Sequence, residues 1–161
     1  MNIDLKTVIF ILGITHLMQI LVFYHQYKVN KQYKGVGWWL LWSAAESLGF
    51  VFMLLRSVPV LLTSMILLQN IFIAAGTIFI YIGIMRFLDK KENLKVIITA
   101  FTVFFIIHLF FLFVFDNIKI RSINLNVILA FISFFTAYSL LKYKIPSIKA
   151  SAVFNSVVFI V

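Results

Sequence analysis

Long apolar runs alternate along this chain with short basic connections. The densest stretch lies between Trp38 and Lys91, where two apolar segments, Trp38 to Leu55 and Val60 to about Gly83, are joined by Arg56-Ser57-Val58-Pro59. An apolar run of about 18 residues crosses a hydrocarbon core about 30 Å thick as a helix, so the pattern predicts a transmembrane hairpin. The same reading predicts spans over residues 5–24, 38–55, 60–83, 96–115 and 123–141, with Gly35 and Gly37 stopping any helix ahead of the second span, Asp116 to Ser122 making a short turn, and a sixth run over 150–161 too short to cross. A β-barrel would need alternating segments of about ten residues, and these runs are longer and apolar on every face. The predicted class is therefore all-α: a polytopic transmembrane helical bundle with five complete spans and a truncated sixth.

Composition strengthens this reading. With 63% hydrophobic and 12% charged residues and a mean hydropathy of +1.09, the chain falls far from soluble domains, where about a quarter of residues are charged. Cysteine is absent, which excludes disulfides, thiolate metal sites and cysteine nucleophiles. The opening MNIDLKTVIFILGITHLMQ lacks a basic leader and a small-residue cleavage site, and reads as a retained first helix.

The net charge of +9 would suit nucleic acid in a soluble chain. Here the lysines fall in short connections, where they set orientation and meet anionic lipid headgroups, so no nucleic-acid partner is expected. One set of connections holds ten basic residues: Lys28, Lys31, Lys34, Arg86, Lys90, Lys91, Lys95, Lys142, Lys144 and Lys149. The other holds four, Lys6, Arg56, Lys119 and Arg121. Positive charge stays in the cytoplasm, so the N-terminus is expected outside and the long loops inside. Tyr24, Tyr27, Trp38, Trp39, Tyr81 and Tyr143 fall at the expected cytoplasmic boundary, where amphipathic rings favour the headgroup layer. His25 belongs to the same level. The chain halts within an outward-going sixth run, and the expectation is a longer protein with a seventh span followed by a soluble cytoplasmic domain.

Depth along each span follows from the rise of about 1.5 Å per residue. It places His16, Gln19, Glu46, Asn70 and His108 near mid-membrane, and these are the candidate ligand-binding or polar-core residues. A charge there costs at least about 2.5–3.5 kcal/mol, so each should face protein and be paired or neutral. Glu46 reads either as a titratable or ligand-contacting carboxylate, with His16 or His108 as partner, or as a protonated carboxyl cementing two helices. His16 and His108 together offer an alternative metal reading, axial ligation of a haem; otherwise no cofactor is implied. Asn70 reads as a brace for the hairpin. Ala45 and Gly49 are four apart, and Gly76 and Gly83 seven apart, spacings that let helix backbones approach. Pro59 suits a first helical position, and Arg56 reads as a headgroup-level residue or an anion contact. No phosphate loop, close carboxylate pair, catalytic triad or zinc spacing occurs, so no catalytic residues are expected in this chain.

The succession Trp38-Trp39, Leu48-Gly49-Phe50, Leu55-Arg56, Pro59, Asn70, Tyr81, Gly83 and Arg86-Phe87-Leu88 resembles the N-terminal multi-span input regions of bacterial signalling proteins. Glu46 departs from that pattern, where a small or apolar residue is the rule. The resemblance implies a sensory or anchoring module in the bacterial inner membrane. It would relay a membrane or small-ligand stimulus to a cytoplasmic output, a GGDEF diguanylate cyclase or a PAS and histidine kinase assembly, with homodimerisation through that missing output domain. The alternative is a membrane redox or transport subunit in which His16, Glu46 and His108 handle haem, protons or a cation.

Overall fold

Apolar chain that cannot give its backbone groups to water must close their hydrogen bonds within itself, and helices do so. The computed structural model describes residues 4–143 and 149–160. They form α1 (Leu5–Val29), α2 (Val36–Leu54), α3 (Leu62–Phe87), α4 (Leu94–Leu109), α5 (Ile118–Lys142) and α6 (Lys149–Ile160), with no strand among the described residues. Two short 3-10 turns, Leu55–Ser57 and Pro59–Leu61, link α2 to α3, and α4 continues into one π-helical turn at Phe110–Val114. Five of the helical segments, starting at Thr7, Val36, Pro59, Leu94 and Ile118, are long and apolar enough to cross a membrane. The outward faces fit lipid and not water: Leu21, Ile106 and Phe134 are each more than 60% exposed. The chain is a multi-pass membrane protein.

The centre of the bundle is the hairpin of α2 and α3, with α1 laid against α2, α5 against α3, and α4 and α6 against α5. The core joins Ala74, Tyr81, Ile82 and Met85 of α3 to Ile97 and Phe104 of α4 and to Ile128 and Ile132 of α5. Successive helices reverse direction, so their connections gather at two ends. At one end Lys34 Nζ lies 2.8 Å from Asp89 Oδ1, tying the α1–α2 connection to the α3–α4 connection. At the other, Arg56 and Arg121 line one cavity. The partition of basic residues inferred from the loops is therefore reproduced in space for these connections. Lys144 and Pro146 of the third basic loop lie outside the described residues.

Several boundaries differ from the sequence reading. Helix α1 runs five residues past Tyr24, and α3 runs through Arg86 to Phe87, because a helix leaving the hydrocarbon keeps its hydrogen bonds in the headgroup layer. Gly35 and Gly37 were expected to stop the helix together, yet only Gly35 does. It takes φ +110° as the residue before α2, whereas Gly37 lies inside α2 against the Tyr27 ring. A Cβ at Gly35 would sit 2.2 Å from the Gly83 carbonyl oxygen, so the backbones meet there as well. Asp116 to Ser122 is not a turn: α5 begins at Ile118, because the Asn117 side chain accepts from the amides of Lys119 and Ile120 at 3.1 and 3.2 Å. Tyr81 is 1% exposed and thus no headgroup-facing ring; its hydroxyl accepts from the Asn93 amide at 3.2 Å, bracing the entry to α4.

Candidate functional site

The five mid-membrane polar residues fall into three separate contacts, each between a different pair of helices. Between α1 and α2, the buried Ser43 hydroxyl donates to the His16 carbonyl at 3.0 Å and to Gln19 Oε1 at 3.3 Å. The His16 ring stacks on Phe50 with centroids 5.5 Å apart and meets Trp42 edge-on at 5.7 Å. Its Nδ1 is buried without a partner. These rings fix the imidazole by contact area, while serine and glutamine satisfy the polar groups beside it.

Between α2 and α3, Glu46 lies flat against Gly76. A Cβ at Gly76 would fall 2.8 Å from Glu46 Oε1 and 3.2 Å from both Cδ and Cγ, so the glycine leaves the space that the carboxyl fills. Ala45, Ser47 and Gly49 of α2, close to Glu46 along the helix, are buried as well. Gly49 likewise faces Ile73, and Gly83 faces Trp39, each too close for a Cβ. The small-residue spacing read from the sequence thus packs α2 against α3 within one chain. Neither histidine is hydrogen-bonded to Glu46.

Between α3 and α4, Asn70 Nδ2 lies 3.1 Å from His108 Nε2, and both residues are buried. When the amide donates, the ring proton sits on Nδ1, which is buried and has no partner. Phe104 flanks the ring at 5.5 Å, and the π-helical turn Phe110–Val114 follows directly. Such single π turns tend to occur at functional positions. Asn124 of α5 donates to the Phe104 carbonyl at 3.0 Å, which fixes the third helix beside this pair. The His16 ring packs against α2 and the His108 ring is held by Asn70 of α3, each imidazole in its own contact. No group of three or more His, Asp or Glu side chains able to hold a metal occurs among the described residues.

Asn70 also opens onto a feature the sequence reading did not assemble. A cavity of about 310 Å³ is lined by Arg56 of the 3-10 turn after α2, Gln69 and Asn70 of α3, and Arg121, Ser122 and Asn126 of α5, with Met53, Ile66, Ile118 and Leu125 completing its wall. Arg121 is 7% exposed and its Nη1 lies 2.7 Å from Asp116 Oδ1. Arg56 Nε and Gln69 Oε1 are buried without partners. The available signal was the placement of Arg56 and Arg121 on the same side of the membrane. Assigning Arg121 to a turn hid its inward direction.

At the lysine-rich end, Arg86 donates through Nε and Nη2 to Glu92 Oε1, the former at 3.2 Å. Burial opposes ionisation of Glu92, but the hydrogen bond from Arg86, with that guanidinium's charge and Lys91, holds its carboxyl below the ordinary value. Asp89 is held low too, by its hydrogen bond from Lys34 and the charge behind it. No protein-family model, curated protein or solved structure matches the chain.

Proposed function

We propose that this chain is the membrane-embedded sensory or anchoring module of a bacterial signal-transduction protein. It sits in the inner membrane with its lysine-rich end in the cytoplasm, and relays a membrane or small-ligand stimulus to a cytoplasmic output domain. The observation that supports this reading is the distribution of the intramembrane polar groups. His16 with Gln19 and Ser43, Glu46 with Gly76, and Asn70 with His108 each pin one helix pair. That arrangement suits a bundle whose information lies in helix packing, whereas a proton or electron relay needs its groups in sequence along one path. The signal would be a change in packing passed through the lysine-rich end to a dimeric output.

Two measurements test it. In liposomes, Glu46→Gln is expected to leave proton and cation flux at the background of protein-free vesicles, as is the unaltered chain; flux that the substitution abolishes would favour the transport alternative. The reading frame is expected to continue past Val161 into a GGDEF, PAS or kinase domain. A frame holding only further spans with a second polar set would overturn the proposal.

A further inference from the structure

The cavity between Arg56 and Arg121 has the composition of an anion site. Two guanidinium groups line it, and the carboxylate paired with Arg121 comes from Asp116, which lies outside the lining and is 77% exposed. Among the described residues Arg56 has no carboxylate partner, and its Nε donor is buried and unsatisfied. A buried donor on a charged group left without an acceptor costs several times what an ordinary hydrogen bond contributes. Gln69 also lines the cavity, 5% exposed with its amide oxygen unpartnered, and a side-chain amide offers either its oxygen or its NH₂ depending on a half-turn about its last bond. Ser122 and Asn126 line it too and carry groups able to donate. Two positive charges against one carboxylate leave a surplus of one, which matches a phosphodiester. The planar guanidinium fork is suited to bind phosphate through paired hydrogen bonds.

Position agrees with chemistry. Arg56 stands in the connection between two spans, at the level where lipid phosphates lie, while Gln69 and Asn126 are about 10–12 Å deeper along α3 and α5. We propose that this cavity is a phosphate-binding site, filled either by the headgroup of a phospholipid in the adjoining leaflet or by a free phosphate anion. The assignment deepens the sensory reading by naming its ligand class. Asn70 lines the cavity and also holds His108, so an occupant touches the contact between α3 and α4.

The test uses the full chain in a phosphate-free maltoside detergent at constant ionic strength. The thermal unfolding midpoint is followed while inorganic phosphate is titrated in one arm and phosphatidylglycerol in mixed micelles in the other. At least one arm is expected to raise the midpoint, and the responding arm identifies the source. Arg56→Gln is expected to weaken the apparent affinity about tenfold or more, as for a lost charge-assisted hydrogen bond, with partial recovery in Arg56→Lys. Lys119→Gln, an exposed cation at the same end but outside the cavity, should change nothing. No response in either arm, or an Arg56→Gln response equal to that of the unaltered chain, would overturn the site. Arg121→Gln also loses the Asp116 pair, so the decision rests on Arg56. Binding needs no output domain: an occupied cavity with an unresponsive output would refute the sensory reading while leaving the site intact.

Discussion

Replacing Gly76 by alanine places a methyl group 2.8 Å from Glu46 Oε1 and 3.2 Å from Cδ and Cγ. Ordinary carbon contacts begin near 3.5 Å, so Glu46 or the α2–α3 separation must give by several tenths of an ångström. Glu46 is buried and three of its atoms are involved, so it cannot clear the space by swinging a free end. Overpacking of this kind costs about 1–3 kcal/mol, while alanine gains about 1 kcal/mol over glycine in helix propensity. The net loss expected for Gly76→Ala is therefore about 0–2 kcal/mol, too ambiguous to interpret alone. A double-mutant cycle with Glu46→Ala isolates the contact, because removing the carboxyl removes the collision and leaves the propensity gain. In that background Gly76→Ala should be neutral or stabilising by up to about 1 kcal/mol, giving a coupling of about 1–3 kcal/mol. Reversible unfolding in mixed micelles titrated with dodecyl sulfate, followed by helical circular dichroism, supplies the four stabilities. A coupling below about 0.5 kcal/mol would mean that Glu46 does not rest on Gly76, and the α2–α3 register would be wrong.

Other outcomes follow from neighbouring features. Gly35→Ala should destabilise by about 1–3 kcal/mol, since its φ of +110° and its approach to the Gly83 carbonyl both exclude a Cβ; the same unfolding titration checks it, and an unchanged midpoint refutes it. Asn70→Ala should cost about 0.6–2 kcal/mol by orphaning His108 in the membrane, and the His108→Ala, Asn70→Ala double variant should lose less than the two single losses added. Glu92 has its carboxyl held below the unfolded value, so its pairing with Arg86 contributes fully above about pH 4.5 and is lost as pH falls through the lower folded-state value. Glu92→Gln should therefore flatten the acid limb of a thermal-stability profile; an identical limb would show that the pair contributes nothing. Single cysteines at Lys31 and Lys90, in a chain with none of its own, should react with impermeant maleimide only after the inner face is opened, and a cysteine at Val60 in intact cells. The reverse pattern would invert the proposed orientation.

Hydropathy set the span count because burial in lipid demands it at every turn of a helix, and all five runs reappear as α1 to α5. Boundaries were harder. The charged residues after Asp116 suggested a turn, but Asn117 supplies a cap and Arg121 points inward to a carboxylate. The glycines near α2 looked alike in sequence, although only Gly35 carries the positive φ that glycine favours. For the polar residues, counting along each span gave depth, one coordinate of three. Helix rotation and adjacency fix the other two, and they separated His16 from His108 while bringing Gln69, Asn70, Arg56 and Arg121 around one cavity. The small-residue spacing of Gly49, Gly76 and Gly83 was readable because close backbone approach has few other causes.

The three glycine contacts between α2 and α3 act as a spine. Helices that touch this closely have no slack in which to slide or roll, since each shift of a fraction of an ångström would drive a carboxyl, an isoleucine or an indole into backbone. Any rearrangement of the bundle would therefore keep α2 and α3 together and fall on the contacts at their flanks, those of α1 with α2 and of α6 with α5. The hairpin is the frame on which the outer helices are hung.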